Sequence, residues 1–425
     1  TLRCSYIKLH AGPTGRIKMP SKPFRKINRL GLLSCLGALI SICSAHADTV
    51  QISNHPVQAL VQRNAAPAPM PDALGKQRLQ RMRIMHIDLD YVYDTDKAQQ
   101  RENLQALIQR IQAIQPNTVF LQAFADPDAN GSADQVYFPN RHIPVREDLF
   151  HQVLQQIRQQ TKVKAVYAWL PLIAWEFPKK YQLNYVQSSQ KNTHGYIRIS
   201  PFDPKNMQYA AEIFLDFIQR NQVDGILYHD DVTLSDFEDD SPVAHQAYKS
   251  WGFDSAALLH QPEHPQQLKF ARYKTAYLDQ FAAGISEMLK QRQPNLQFAR
   301  NMYAEALLNP DSEKWYSQSP ASTYQHYDYN AIMAMPYMEK AKNHRQFYLD
   351  LIQQAKKYDP NLSHTIFELQ AVDWITQKKI PDRELQQSMK LLEQHGVQHI
   401  GYYPDDFADA HPDAAQLKRA FSGAD

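Results

Sequence analysis

The chain has three cysteines, Cys4, Cys35 and Cys43, all within the first 43 of its 425 residues. Beyond them there is no thiol, which excludes a disulfide framework, a Cys-ligated metal and a thiol nucleophile from the remainder. Acids are missing from the first 47 residues, which carry eight Lys or Arg. The apolar stretch that follows this basic start, "LGLLSCLGALISIC" from Leu30 to Cys43, is only 14 residues long, too short for a comfortable membrane span. No G-x-S-x-G elbow occurs, the turn after the first candidate strand, "DLDYVYDTD", has no glycine with which to cradle a phosphate, and no internal repeat is evident.

The basic start, the short apolar run and Ala45-His46-Ala47 together have the order of a secretory signal peptide. Residues 1–47 are therefore expected to be removed, with Met19 as the start and residues 1–18 as an upstream extension. The expected location is the periplasm. The "LLSC" before Cys35 offers outer-membrane lipidation as the alternative. Taking the eight basic residues from the formal charge of +2 leaves −6, which argues against nucleic acid and for a cationic or neutral partner. Residues 48–80, with "NAAPAPMPDALG", read as a linker or tether.

From residue 81 to the C-terminus, short apolar runs alternate with amphipathic stretches. The runs are "RIMHIDLD", "TVFLQAF", "VKAVYAWL", "GILYHDD", "LQFARNMY", "AIMAMPY", "HTIFELQ" and "HIGYYPD". Near-continuous apolar strands, each followed by a helical pattern, imply a parallel sheet covered by helices. Eight of them predict an α/β fold of the (β/α)8 TIM-barrel type over 81–425, as a single domain. A doubly wound sheet is the alternative, and it lacks its glycine turn here.

Barrel enzymes work at the C-terminal ends of their strands. The residues expected there are Asp88, Asp90, Tyr93, Trp169, His229, Asp230, Asp231, Asn301, Tyr303, Glu305, Tyr337, Glu368 and Tyr402. Acids, amides and aromatics on one face suit a sugar, whose apolar faces stack on rings and whose hydroxyls take the polar groups. The stretch 224–240, "DGILYHDDVTLSDFEDD", holds seven carboxylates and no Lys or Arg. Asp230 and Asp231 end an apolar strand directly, where solvation is hard and adjacent acids can be driven to different pKa values. Asp239 and Asp240 read as solvated loop acids, and Asp405 and Asp406 as turn or helix-capping residues. Of the two H-x-x-x-H spacings, His260/His264 contains Pro262 and His395/His399 lies before the last strand, at the wrong end of a barrel. No metal site and no cofactor are expected.

"GILYHDDVTLSDFEDDSP", with "RIMHIDLDYVYD", "FLQAFADPDANG", "VYFPNRHIPVREDLF", "VYAWLPLIAWEFP" and "FARNMYAEALLNP", resembles the C-terminal domain of PgaB-type proteins. The resemblance runs from about residue 81 to the end. It implies a (β/α)8 glycoside hydrolase that binds and cleaves partly de-N-acetylated poly-β-1,6-N-acetyl-D-glucosamine during export of this biofilm polysaccharide, with an outer-membrane export porin as a further partner. The N-terminal deacetylase domain of full-length family members has no counterpart between residues 48 and 80, so N-deacetylase activity is expected to be absent. The chain is expected to act as a monomer.

On this reading Asp231 is the general acid and Asp230 polarises the 2-acetamido group of the substrate. Glu305 or Asp88 is the alternative second acid, and His229 either holds an Asp by hydrogen bond or is a satisfied structural histidine. The remaining expected residues bind the sugar. Two other readings keep the same residues: a non-catalytic module that guides the polymer to the pore, and a metal hydrolase in which Asp230 and Asp231 hold a divalent cation.

Overall fold

The computed structural model describes residues 50–64, 79–190 and 196–422; the expected signal peptide lies outside them. Eight parallel strands close into a barrel: β1 (Arg83–Ile87), β2 (Thr118–Gln122), β3 (Ala165–Leu170), β4 (Gly225–Tyr228), β5 (Gln297–Tyr303), β6 (Tyr329–Ala334), β7 (Thr365–Gln370) and β8 (His399–Tyr403). Each pairs with its neighbours in sequence, and β8 returns to β1 with Arg83 opposite Ile400. All eight runs read as strands are strands, almost wholly buried because helices cover the outside and side chains fill the inside.

The main covering helices are α2 (Lys97–Ile114), α3 (Leu149–Gln160), α4 (Pro204–Arg220), α5 (Gln267–Lys290), α6 (His344–Ala355), α7 (Asp382–Gln394) and α8 (Ala414–Phe421). Their starts follow local chemistry. Asp96 caps α2 by accepting from Ala98 N, and Asp203 caps α4 by accepting from Lys205 N just before Pro204. No helix among the described residues is long and apolar enough to cross a membrane.

Part of the stretch read as a linker is packed onto the barrel. Helix α1 (Val57–Arg63) lies against α5, burying Val57, Leu60 and Val61. Gly284 on α5 admits the Val57 side chain, which sits where a Cβ would otherwise be. His55 is buried beside it, with Nε2 3.0 Å from Tyr277 O and Nδ1 accepting from Val57 N at 3.1 Å. Composition hid this short anchor among Pro, Ala and Gln.

Candidate active site

Strand alternation decides which side chains enter the barrel. On β1, His86 points inward, and so do Trp169 on β3, Asn301 and Tyr303 on β5, Glu368 on β7 and Tyr403 on β8. Their rings and polar atoms meet. His86 Nδ1 contacts Glu368 Oε1, and Asn301 Nδ2 donates to Glu368 Oε2 at 2.7 Å. The His86 ring lies 4.5 Å from Trp169 and 4.6 Å from Tyr403. Tyr403 Oη donates to Asp88 Oδ2 at 3.2 Å.

Above this layer, Trp169 stacks on His229 at 5.0 Å and 21°, and His229 Nδ1 lies 2.6 Å from Asp230 Oδ1. Two phenols converge on the same carboxylate: Tyr303 Oη donates to Oδ2 at 2.8 Å, and Tyr196 Oη to Oδ1 at 2.9 Å. Burial and the Asp230 charge push both phenols well above their ordinary pKa, so they stay donors. Burial alone would lower the His229 pKa, but the Asp230 carboxylate outweighs it and the imidazole titrates above its usual range. Asp230 and His229 thus form a buried pair in which the carboxylate favours the protonated imidazole.

Asp231 is placed differently. Its Oδ2 accepts from Ile173 N and Ala174 N, both at 2.6 Å, and its Oδ1 from Leu172 N at 3.1 Å, with no exposed surface. Burial pushes its pKa up against the pull of His229 and those three N–H groups. The carboxylate fixes the turn after β3. Of the adjacent pair, Asp230 meets the side chains of Tyr196, Tyr303 and His229, whereas Asp231 meets the backbone of residues 172–174.

Asp88 is also buried. Burial, then Asp90, raises its pKa well above the ordinary carboxylate value, and its Oδ1 has no hydrogen-bond partner. The loop after β2 carries a separate acid group, in which carboxylate oxygens of Asp126, Asp128 and Asp134 lie within 4.8 Å of one another. These three could hold a hard cation, so the expectation of no metal set on this face needs that qualification. The same loop seats Tyr196: a Cβ on Gly131, whose φ is +92°, would lie 2.2 Å from the Tyr196 ring, and Ser132 Oγ accepts from Ile197 N at 2.8 Å.

Comparison with known proteins places the chain in a family. Residues 86–403 match hypothetical glycosyl hydrolase family 13. The chain belongs to this family. It is 39% identical to the glycoside hydrolase domain of PgaB (BpsB) from Bordetella bronchiseptica, covering 80% of this chain and 98% of that one, with a TM-score of 0.75. It is also 39% identical over 354 residues to the poly-β-1,6-N-acetyl-D-glucosamine N-deacetylase of Escherichia coli strain K12; the match covers 80% of this chain and 52% of that protein, so the chain spans about half the length of this relative. A β-galactosidase from Rahnella sp. R3, 12% identical over 84% of this chain and 58% of its own, with a TM-score of 0.57, shares the fold. The resemblance read from the sequence to the PgaB C-terminal domain therefore holds.

Within this family member, the expected sugar-binding residues divide. His229, Trp169, Tyr303, Asn301, Glu368 and Asp88 form the contiguous set around Asp230, although both Glu368 oxygens are already occupied. Asp90 is held by Tyr137 Oη at 2.5 Å and Arg146 Nη1 at 3.0 Å, and Tyr93 lies under the same Arg146. Glu305 accepts from Asn309 Nδ2, and Tyr337 Oη donates to Glu384 on α7. Tyr402 points out of the barrel to Asp405, so it is corrected from sugar ligand to an outer-layer residue. Strand alternation explains this case, because Tyr402 and the inward Tyr403 are adjacent.

The acid stretch is also corrected. Asp236, Glu238 and Asp239 are buried instead of solvated. Arg198 pairs with Glu238 at 2.8 Å, Asp239 accepts from Ser200 Oγ at 2.6 Å, and Lys274 Nζ donates to Ser235 O and Glu238 O. Asp405 is bound by Arg110 at 2.7 Å and is no helix cap, whereas Asp406 does act in a turn, accepting from Asp409 N. His399 bonds Met82 N and Ser363 O at the far end of the barrel. Sequence reasoning missed His86 and Tyr196 as site residues. Alternation along β1 could have found His86; Tyr196 sits in a polar stretch with no period to flag it.

Proposed function

We propose that the chain is an endo-acting, hexosaminidase-type glycoside hydrolase that cleaves partly de-N-acetylated poly-β-1,6-N-acetyl-D-glucosamine in the periplasm during export through an outer-membrane porin. The observation that carries the reading is Asp230. It is a carboxylate at the mouth of a parallel barrel, paired with a protonatable His229 and bordered by Trp169, Tyr303 and Tyr196. The identity to the PgaB glycoside hydrolase domain over nearly all of that domain supports the substrate class.

In this mechanism the Asp230–His229 pair supplies the proton to the leaving glycosidic oxygen as a substrate group displaces a tyrosine hydroxyl from Asp230. The oxocarbenium-like centre is stabilised by the 2-acetamido oxygen of the substrate or by a second carboxyl, for which Asp88, bonded to Tyr403, is the candidate. Asp231 is a positioning residue. The net charge of −6 after the basic leader favours polymer that exposes ammonium groups over fully acetylated chain. N-deacetylation is not assigned to the barrel, because the acid group of Asp126, Asp128 and Asp134 contains no histidine.

The test is to incubate purified protein with partly deacetylated polymer and follow oligosaccharides by mass spectrometry, with and without EDTA. Release of oligosaccharides supports the reading. Binding without release would replace it with the export-guiding module, and cleavage abolished by EDTA would replace it with a metal-dependent hydrolase.

A further inference from the structure

We propose that Glu368 and His86 form a positioning pair beneath the site: Glu368 sets the tautomer and tilt of His86, and His86 in turn sets the Trp169–His229 stack that presents Asp230. The kinetic arm of this inference rests on the function proposed above; its structural arm does not.

Glu368 has no exposed surface, and its two oxygens are taken by Asn301 Nδ2 at 2.7 Å and by His86 Nδ1. A carboxylate only accepts, so Nδ1 is the ring nitrogen that carries the proton. The imidazole is then boxed by rings on three sides. Trp169 lies 4.5 Å away at 83°, Tyr403 4.6 Å away at 48° and Phe120 5.6 Å away at 86°. Trp169 continues the contact to His229, and Phe124 braces both, 5.0 Å from Trp169 and 5.6 Å from His229. Every link from Glu368 to Asp230 is a direct contact between buried groups. Close-packed interiors transmit a shift of this kind because there is no free space to absorb it.

A core that needed only filling would be better served by apolar side chains. Burying a carboxylate costs several kcal/mol before its partners compensate, and His86 Nε2 is buried with no partner in the protein, a further cost. The polar pair therefore has a use that a hydrocarbon pair lacks, namely fixing one orientation of the ring below Trp169.

The experiment is side-chain 15N histidine NMR with steady-state kinetics on Glu368→Gln, Glu368→Asp and the double apolar swap Glu368→Met/His86→Phe. In Glu368→Gln the amide N–H2 faces Nδ1 and should move the His86 proton to Nε2. The His229 resonances should shift with it, and kcat should fall on the order of 10- to 100-fold with KM little changed, as for other groups that orient a site residue. Glu368→Asp, which keeps the charge, should recover part of the kcat. The double swap guards against failure to fold, since replacing a buried pair by apolar groups of similar volume is often tolerated; it should keep the melting temperature yet still displace the His229 resonances and lower kcat. Unmoved His229 resonances in the folded variants, with kcat at the wild-type value, overturn the inference. If the wild-type protein cleaves nothing, the hydrolase reading falls, while the His229 resonances still decide the pairing.

Discussion

The Asp231 carboxylate binds the backbone N–H of Ala174 at 2.6 Å, and this one bond separates the roles of two adjacent acids. Asp231→Asn would turn an amide N–H2 toward backbone donors and leave buried groups unsatisfied, at about 1–3 kcal/mol. It should lower the melting temperature by several degrees. Asp230→Asn should leave the melting temperature close to wild type and reduce oligosaccharide release by roughly 100- to 10,000-fold, since the amide keeps the shape and cannot transfer the proton. Scanning calorimetry beside a cleavage assay checks both. Full activity in Asp230→Asn would remove it from the mechanism.

Gly131 should matter to catalysis although it has no side chain to offer. Its positive φ and the Tyr196 ring against it mean that Gly131→Ala both strains the loop, by about 1 kcal/mol or more, and pushes Tyr196 off Asp230. Its effect on cleavage should largely vanish in a Tyr196→Phe background, where the hydroxyl is already gone. A double-mutant cycle measures this, and additive losses would count against it.

His55 gives the α1 anchor an acid limit. Burial lowers its pKa from 6.5 to about 4, opposed by the bond to Tyr277 O. A group whose folded pKa lies below its unfolded one contributes stability above the unfolded value, and that stability is lost as pH falls through the folded value. The loss should run from about pH 6.5 down to 4 and reach about 3 kcal/mol. Hydrogen exchange at residues 55–63 should accelerate over that window in the wild type, and His55→Gln should flatten the response.

Asp134 should act with the opposite sign. Burial, then Glu176 and Asp128, raises its pKa to about 7. Its contribution to stability is intact below the unfolded value near 4 and is lost as pH rises through about 7. Asp134→Asn should therefore be more stable than wild type at pH 8 and indistinguishable from it at pH 4, which denaturant titrations at the two pH values would reveal.

The barrel was legible because each strand is an unbroken apolar run, and burial on both faces demands that pattern. The site was legible only by position. That the carboxylates of Asp230 and Asp231 would part, one to the site and one to the backbone of residues 172–174, depends on a turn 57 to 59 residues away in sequence. The same holds for the acids after Asp231. Alone they read as solvated charge, but Arg198 and Lys274, distant in the chain, draw them inward. Tyr402 and Tyr403 differ only in the parity of a strand whose register is fixed by β1 and β7. Long-range pairing of this kind leaves no periodic trace.

The Trp169–His229 stack makes the site optically visible. A protonated imidazole in van der Waals contact with an excited indole drains its emission, whereas a neutral one does so far less. Of the five tryptophans in the chain, Trp169 therefore carries a built-in gauge of charge beside Asp230, and a sugar ring that disturbs the stack would change the light it emits before any bond is cut.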